Sequence, residues 1–235
     1  MNGRRLTRRA ASSWSGGAAA GVTAVASAYI MTRPPVVPTL SGAEPISTRL
    51  SRIGPTPHHQ QLTGTGADLL VISDTGCAYC REFVRTGLEP LIRFAGENGL
   101  SAAYLSVGYG RSGLISTIAS ACAQREGSRL TGPDLVRALF ALTEAGVPDG
   151  IDPEGAIVPA ASALGVTRAE LTRCVPEEAL QFRDRFEATR SLFELARTPT
   201  FFLSDPDDPS RVMKLEGFAS AGALTRRLER ALRAG

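Results

Sequence analysis

The first 28 residues contain no acidic side chain, and the stretch from Ala10 to Met31 contains no charged residue at all. Four of the 26 basic residues lie in those first 28 positions, which leaves 22 basic and 23 acidic residues in the rest of the chain. The formal net charge of +3 therefore comes from the amino end. A remainder with balanced charge gives no support for nucleic-acid binding.

The amino end has the layout of a targeting segment. Four arginines within residues 4–9 precede the uncharged stretch, as in an export signal or a membrane anchor. Ala26-Ser27-Ala28 offers the small residues that favour cleavage after Ala28. The stretch is also long enough to span a bilayer, although it is rich in Ala, Gly and Ser. We interpret residues 1–31 as a signal peptide or a membrane anchor, with an unstructured tail as the third alternative.

Residues 32–66 are rich in Pro, Gly, Ser and Thr, which resist regular structure. We predict a tether here that contains one short strand. His58 and His59 lie in this segment. Two adjacent histidines can bind a metal ion, but a solvated loop is the simpler interpretation. The remaining residues 67–235 are enough for one domain with a large insertion.

Hydrophobic patterning predicts the order strand, helix, strand, helical block, two strands and helix in residues 67–235. Gly87 and Pro90 should interrupt the first helix, and Pro176 should open the last helix of the block. Ser220 is the expected N-cap of the closing helix. The four strands are predicted at Ala67–Ser73, Ser101–Val107, Thr200–Leu203 and Arg211–Leu215. This order predicts an α/β domain with a helical insertion at about residues 111–195.

The chain has four cysteines, and only Cys77 and Cys80 are close together in sequence. Their Cys-Ala-Tyr-Cys spacing places Cys77 at the start of the first helix and Cys80 one turn inside it. A helix amino terminus stabilises a thiolate through its unpaired N–H groups. We therefore expect Cys77 to be the attacking sulfur and Cys80 to resolve the mixed disulfide.

Other uses of a C-x-x-C pair are less well supported. Haem attachment is disfavoured because Arg81, and not histidine, follows Cys80. Tetrahedral zinc needs four ligands, usually from a second close pair, whereas Cys122 and Cys174 are isolated. Metal binding and an inert disulfide between Cys77 and Cys80 remain as alternatives.

A second signal precedes the predicted strand at Thr200, where Thr198 and Pro199 interrupt the chain. From the residues alone, Pro199 is a stop between a helix and a strand. Together with the segment Ser73 to Cys80 and with Cys122 in the helical block, however, this Thr-Pro-Thr-Phe-Phe segment resembles the DsbA-like family of exported thiol oxidoreductases. The resemblance covers residues from about Asp68 to the carboxyl end.

The resemblance implies an α/β, thioredoxin-like fold with a helical insertion after the second strand. It also implies that Pro199 is a cis-proline beside the cysteine pair, with Thr198 offering backbone groups to a client peptide. Tyr79 and Thr198 look like the corresponding residues of the DsbC- and DsbG-type relatives. Those relatives also carry an acid at the position of Asp74, which here either caps the turn, tunes the acidity of the sulfur or relays a proton.

The family often carries cysteines where Cys122 and Cys174 stand in this chain. We predict a structural disulfide between them, with two buried thiols as the alternative. The position six residues before Cys77, where thioredoxin and DsbA carry a buried acid, is Val71.

The resemblance leads us to expect an enzyme without a cofactor or metal that exchanges disulfides with cysteine-containing exported proteins. It would work in the bacterial periplasm or cell envelope with a separate redox partner, either secreted or attached through residues 10–31. The direction of electron flow remains open. The alternatives are a thioredoxin-like chaperone or assembly factor with incidental cysteines, and a metal-binding protein.

Overall fold

A computed structural model describes the chain at residues 39–54, 59–108, 110–130, 132–144 and 163–234. The predicted leader at residues 1–31, with its cleavage point after Ala28, and His58 lie outside these residues. The described elements are, in chain order, α1 (Ile46–Ile53), β1 (His59–Thr63), β2 (Leu69–Ser73), α2 (Ala78–Thr86), α3 (Leu88–Glu97), β3 (Ala102–Ser106), α4 (Gly110–Arg125), α5 (Gly132–Glu144), α6 (Arg168–Leu192), β4 (Thr200–Ser204), β5 (Val212–Glu216) and α7 (Ala221–Ala234).

The five strands form one sheet in the order β1-β3-β2-β4-β5. β2 and β3 are parallel, and α2 and α3 connect them, whereas the other neighbouring pairs are antiparallel. Every residue of β2, β3 and β4 is buried, as expected for central strands that are covered on both faces. The predicted α/β class is confirmed. The helical block follows β3. This is the second strand predicted from the sequence, because β1 lies before the two predicted strands β2 and β3.

Alternate residues of β2 contribute to two separate cores. Leu69 and Val71 pack in the larger cluster, which includes residues of α2, α3 and α7. Leu70 and Ile72 pack on the opposite face, against α1 and residues that follow α6. This period of two is what a strand between two helical layers requires. The larger core covers the face on which Cys80 lies.

The tether predicted for residues 32–66 is wrong for residues 46–53, which form α1, whereas the short strand predicted in that segment is present as β1. Ile46, Leu50 and Ile53 of α1 are buried in the second core, and β1 pairs with β3. Arg49 is almost fully buried, and its guanidinium donates to four backbone carbonyls, including Leu192 O at 2.5 Å. Tertiary contacts therefore stabilise a short helix that its composition does not favour.

The helix predicted to open at Pro176 begins earlier. α6 starts after Thr167, whose hydroxyl accepts from Glu170 N while the Glu170 carboxylate accepts from Thr167 N. This capping box supplies the amino-terminal signal, and Pro176 lies inside the helix. By contrast, the predicted interruption is confirmed, since α2 ends before Gly87 and Pro90 lies in the first turn of α3.

Candidate active site

The cysteine pair lies where the central strand β2 passes into α2. β2 ends at Ser73, a turn over residues 74–76 follows, and Cys77 is the N-cap of α2. Cys77 N donates to Asp74 O at 3.1 Å, and Cys77 O accepts the first helical bond from Arg81 N at 3.0 Å. The strand, the turn and the helix therefore fix the position of Cys77 at the amino terminus of α2.

Cys77 is partly exposed, and its sulfur faces the loop before β4. Its Sγ lies 3.5 Å from Thr198 O, although 121 residues separate the two in sequence. The Thr198–Pro199 peptide bond is cis, and Pro199 is buried while Thr198 is partly exposed. The structure thus brings together the two motifs that the sequence analysis singled out, at the edge where β2 and β4 meet.

Cys80 lies one helical turn further along and is completely buried. Its Sγ accepts a hydrogen bond from Asp74 N at 3.4 Å. Burial raises the pKa of the Cys80 thiol to about 12, because a thiolate loses its hydration there, while polar neighbours partly offset this effect. Cys80 is therefore protonated at neutral pH, and both cysteines are free thiols in this structure.

The remaining predicted site residues lie in or beside the same turn. Asp74 is buried, and its Oδ1 accepts from Gly76 N at 3.0 Å, as in an Asx turn. Tyr79, between the two cysteines, is 68% exposed and contributes nothing to the core. It is one of the two large hydrophobic side chains that are exposed in the described part of the chain.

Sequence reasoning missed the residues that hold this turn from the side of the insertion. Thr75 is fully buried, and its hydroxyl shares a hydrogen bond with Ser116 of α4. Thr143 of α5 donates from its hydroxyl to Thr75 O at 3.3 Å. The two helices therefore contact the turn that carries the cysteines. No sequence motif marks Ser116 or Thr143, because their role depends on long-range packing.

Cys122 of α4 and Cys174 of α6 are joined by a disulfide bond across 52 residues, with 5.7 Å between their Cα atoms. Both are fully buried in a cluster of their own within the insertion, together with Ile118 and Val175. They belong to neither core that borders the sheet. The bond connects the first described helix of the insertion to its last.

His59 opens β1, where burial lowers its pKa. Across residues 39–54, 59–108, 110–130, 132–144 and 163–234, no group of three or more His, Cys, Asp and Glu side chains is placed to hold a metal ion. No helix within those same ranges has the length and apolar character needed to cross a membrane.

Comparison with solved structures matches this architecture to proteins of one type. The chain superposes on α-DsbA1 of Wolbachia pipientis with a TM-score of 0.58 and 16% identity, over 78% of this chain and 95% of that one. It also superposes on the thiol-disulfide exchange protein α-DsbA2 of the same organism, with a TM-score of 0.50 and 8% identity, over 74% and 87% of the two chains.

The chain has the DsbA-type thioredoxin fold. The resemblance inferred from the sequence is thereby confirmed at the level of the fold. No protein-family model matches the sequence, and no curated protein is significantly similar to it. In this DsbA-type fold, the helical insertion covers the turn before α2, as the contacts of Thr75 show.

Proposed function

We propose that this protein is a thiol–disulfide oxidoreductase that exchanges disulfides with exported proteins through Cys77 and Cys80. One observation carries the proposal. Cys77 is partly exposed at the amino terminus of α2, while Cys80 is completely buried one turn behind it. An accessible sulfur at a helix amino terminus, backed by a buried partner, is the arrangement that two-step disulfide exchange needs.

The exchange proceeds in two steps in which each sulfur has a separate role. The Cys77 thiolate attacks a client disulfide, forms a mixed disulfide and releases one client sulfur as a thiolate. Cys80 then attacks Cys77 Sγ, so that the Cys77–Cys80 bond forms and the second client sulfur leaves. The pair is oxidised by two electrons, and the client disulfide is reduced by two. The same steps in reverse oxidise a client dithiol.

The surface around Cys77 offers contacts for a client polypeptide. Tyr79, two residues after Cys77, presents an exposed aromatic ring, and Thr198 O lies 3.5 Å from Cys77 Sγ. We assign both residues to contacts with a client chain bound at Cys77. We assign Asp74 to holding the turn, because its carboxylate accepts from Gly76 N and its backbone N–H donates to Cys80 Sγ.

The amino end supports an extracytoplasmic location for this activity. A cluster of arginines at residues 4–9 precedes an uncharged stretch, which is the layout of an export segment. We assign residues 1–31 to a signal peptide or an anchor that delivers the domain to the bacterial periplasm or cell envelope. Its partners there would be cysteine-containing exported proteins and a separate protein that resets the redox state of the pair.

Turnover assays with matched variants test the proposal. The wild-type protein should catalyse reduction of insulin by a dithiol or refolding of scrambled ribonuclease, and Cys77→Ser should abolish both activities. Arg85→Ala is the control, because Arg85 lies on the same helix, is exposed and pairs only with Glu82 among the contacts described. Full activity of Cys77→Ser would contradict the proposal and favour a binding module. Equilibration with glutathione gives the direction of electron flow.

A further inference from the structure

Two buried hydroxyl groups near the cysteine pair have no partner within the distance and angle limits of a hydrogen bond. They are Ser73 Oγ and Tyr104 Oη, and both side chains are completely shielded from solvent. A buried polar atom that lacks a partner costs stability, so it needs an explanation. The missing partner suggests that these hydroxyls are used in a state other than the neutral dithiol.

The sheet places both hydroxyls on the face that carries Cys80. Tyr104 of β3 pairs with Val71 of β2, and both residues pack in the same core as Cys80. Ser73 follows Val71 by two residues in β2, so its side chain points to that same face. Ser73 also directly precedes Asp74, whose N–H group donates to Cys80 Sγ.

The electrostatic effects agree with this placement. Burial raises the pKa of Cys80 to about 12 and raises the pKa of Tyr104 well above its usual value. The Ser73 hydroxyl acts in the opposite direction on both groups, which places it within reach of each. The charge of Cys80 in turn raises the pKa of Tyr104. Ser73 therefore acts on both the thiol and the phenol.

We propose that Ser73 donates a hydrogen bond to the Cys80 thiolate and that Tyr104 donates to Ser73, so that the two hydroxyls stabilise the buried charge of the resolving step. This inference rests on the proposed disulfide exchange. Donors held in place where a charge develops lower the cost of forming it, because no reorganisation is needed at that moment. The aliphatic side chain of Val71, which lies beside Tyr104, can neither donate nor accept a proton.

In the resolving step, Cys80 Sγ loses its proton and attacks Cys77 Sγ of the mixed disulfide. The Cys80–Cys77 bond forms, the bond between Cys77 and the client breaks, and the client sulfur leaves and takes up a proton. Neither hydroxyl changes its protonation state overall. In the reverse direction, Cys80 is the leaving thiolate, and the same two donors stabilise it.

Three variants separate this role from a structural one. Tyr104→Phe removes only the phenol oxygen, Ser73→Ala removes the intermediate hydroxyl, and the double variant removes both. Ser204→Ala is the control, because Ser204 is a buried serine of β4 that pairs with Val212, at the far end of the sheet from Cys77. Each reduced protein is mixed with oxidised glutathione, quenched with acid at short times, and analysed for the mixed disulfide at Cys77.

Formation of the mixed disulfide should be unchanged in every variant, because Cys77 performs that step. Its resolution should slow about tenfold in Ser73→Ala, the loss expected for a hydrogen bond to a charged group, and about threefold in Tyr104→Phe, which loses a hydrogen bond between two neutral groups. In Ser73→Ala the rise of the resolution rate with pH, followed from about pH 6 to pH 10, should move up by about one unit. The titratable groups that also act in this pocket are Cys77 and Asp74.

Because Tyr104 acts through Ser73, the double variant should resolve no more slowly than Ser73→Ala alone. Wild-type resolution rates and an unshifted pH profile in both single variants would overturn the inference. A slowing that Ser204→Ala shares to the same extent would also overturn it, since it would indicate a general loss of structure. If the wild-type protein forms no mixed disulfide, the proposed function itself is wrong.

Discussion

The hydroxyl groups of Thr75 and Ser116 share a hydrogen bond that ties the turn before the cysteine pair to the first described helix of the insertion. Thr75 has no solvent exposure and Ser116 has 2%. Ser116 Oγ also donates to Gly113 O at 3.1 Å, which secures it to its own helix. The helical insertion therefore positions the active-site turn as well as extending the fold.

Thr75→Val should lower the free energy of unfolding by about 0.5–1.5 kcal/mol, because it removes the hydrogen bond between Thr75 and Ser116 while Ser116 keeps its bond to Gly113 O. The double variant Thr75→Val/Ser116→Ala should lose less than the sum of the two single variants. Urea unfolding measures both effects. Ser51→Ala, at an exposed serine of α1, is the control. Additive losses would show that the two hydroxyls do not interact in solution.

Gly113→Ala should destabilise the protein by about 1–3 kcal/mol and slow disulfide exchange. A Cβ at Gly113 would meet the carboxylate of Asp74 and lie 2.7 Å from Gly108 Cα, so the turn would have to shift. Gly96→Ala is the matched control, because a Cβ there meets nothing within 4 Å on α3. That control should be neutral or stabilising by about 0.5–1 kcal/mol. Equal effects of the two variants would contradict the close packing of α4 on the turn.

The reduced protein should lose stability as the pH rises from about 9 towards 12. The pKa of Cys80 is raised in the folded state, so the native protein retains a proton that the unfolded chain releases. The contribution of the Cys80 thiol to the free energy of unfolding is fully present below the pKa that Cys80 has in the unfolded chain. Above that pKa, the contribution falls by at most about 1.4 kcal/mol per pH unit. Tyr104, Asp74 and Cys77 act in the same pocket.

Urea unfolding of the reduced protein across this pH range measures the loss. The oxidised protein and Cys80→Ala are the controls, because neither has a Cys80 thiol to titrate. Both should show a smaller slope than the reduced wild type. A slope that is the same in all three would mean that Cys80 is not buried in solution.

Removal of the Cys122–Cys174 bond by a double alanine substitution should cost about 2–4 kcal/mol, because the bond closes a loop of 52 residues in the unfolded chain. The two sulfurs lie in a separate cluster within the insertion, so insulin reduction below the new melting temperature should continue. Thermal unfolding and the insulin assay on one sample check both parts. Loss of turnover in a folded double variant would place this pair in the exchange pathway.

The sequence predicted the elements that strong local patterns define. β2 and β3 are continuous apolar runs, and α2 breaks at Gly87 as expected. Such signals are local, and burial of the central strands reinforces them. The resemblance placed Pro199 beside the cysteine pair, but no local pattern connects residues so far apart in sequence.

The elements that sequence reasoning missed depend on distant partners. α1 has only eight residues. Its buried Arg49 donates a hydrogen bond to the backbone oxygen of Leu192, the last residue of α6. Pro176 predicts a helix start, whereas the capping box at Thr167 begins α6. The unpartnered hydroxyls of Ser73 and Tyr104 become visible only once β2 and β3 are aligned. Tertiary context overrides local propensity in each case.

The most direct test of the division of labour between the two cysteines is to trap the mixed disulfide. Cys80→Ser and Cys77→Ser are each reduced, incubated with oxidised glutathione and analysed by mass spectrometry with peptide mapping. The account predicts a stable glutathione adduct on Cys77 in the Cys80→Ser variant and little adduct on Cys80 in the Cys77→Ser variant. An adduct that forms equally well on Cys80, or none on Cys77, would contradict it.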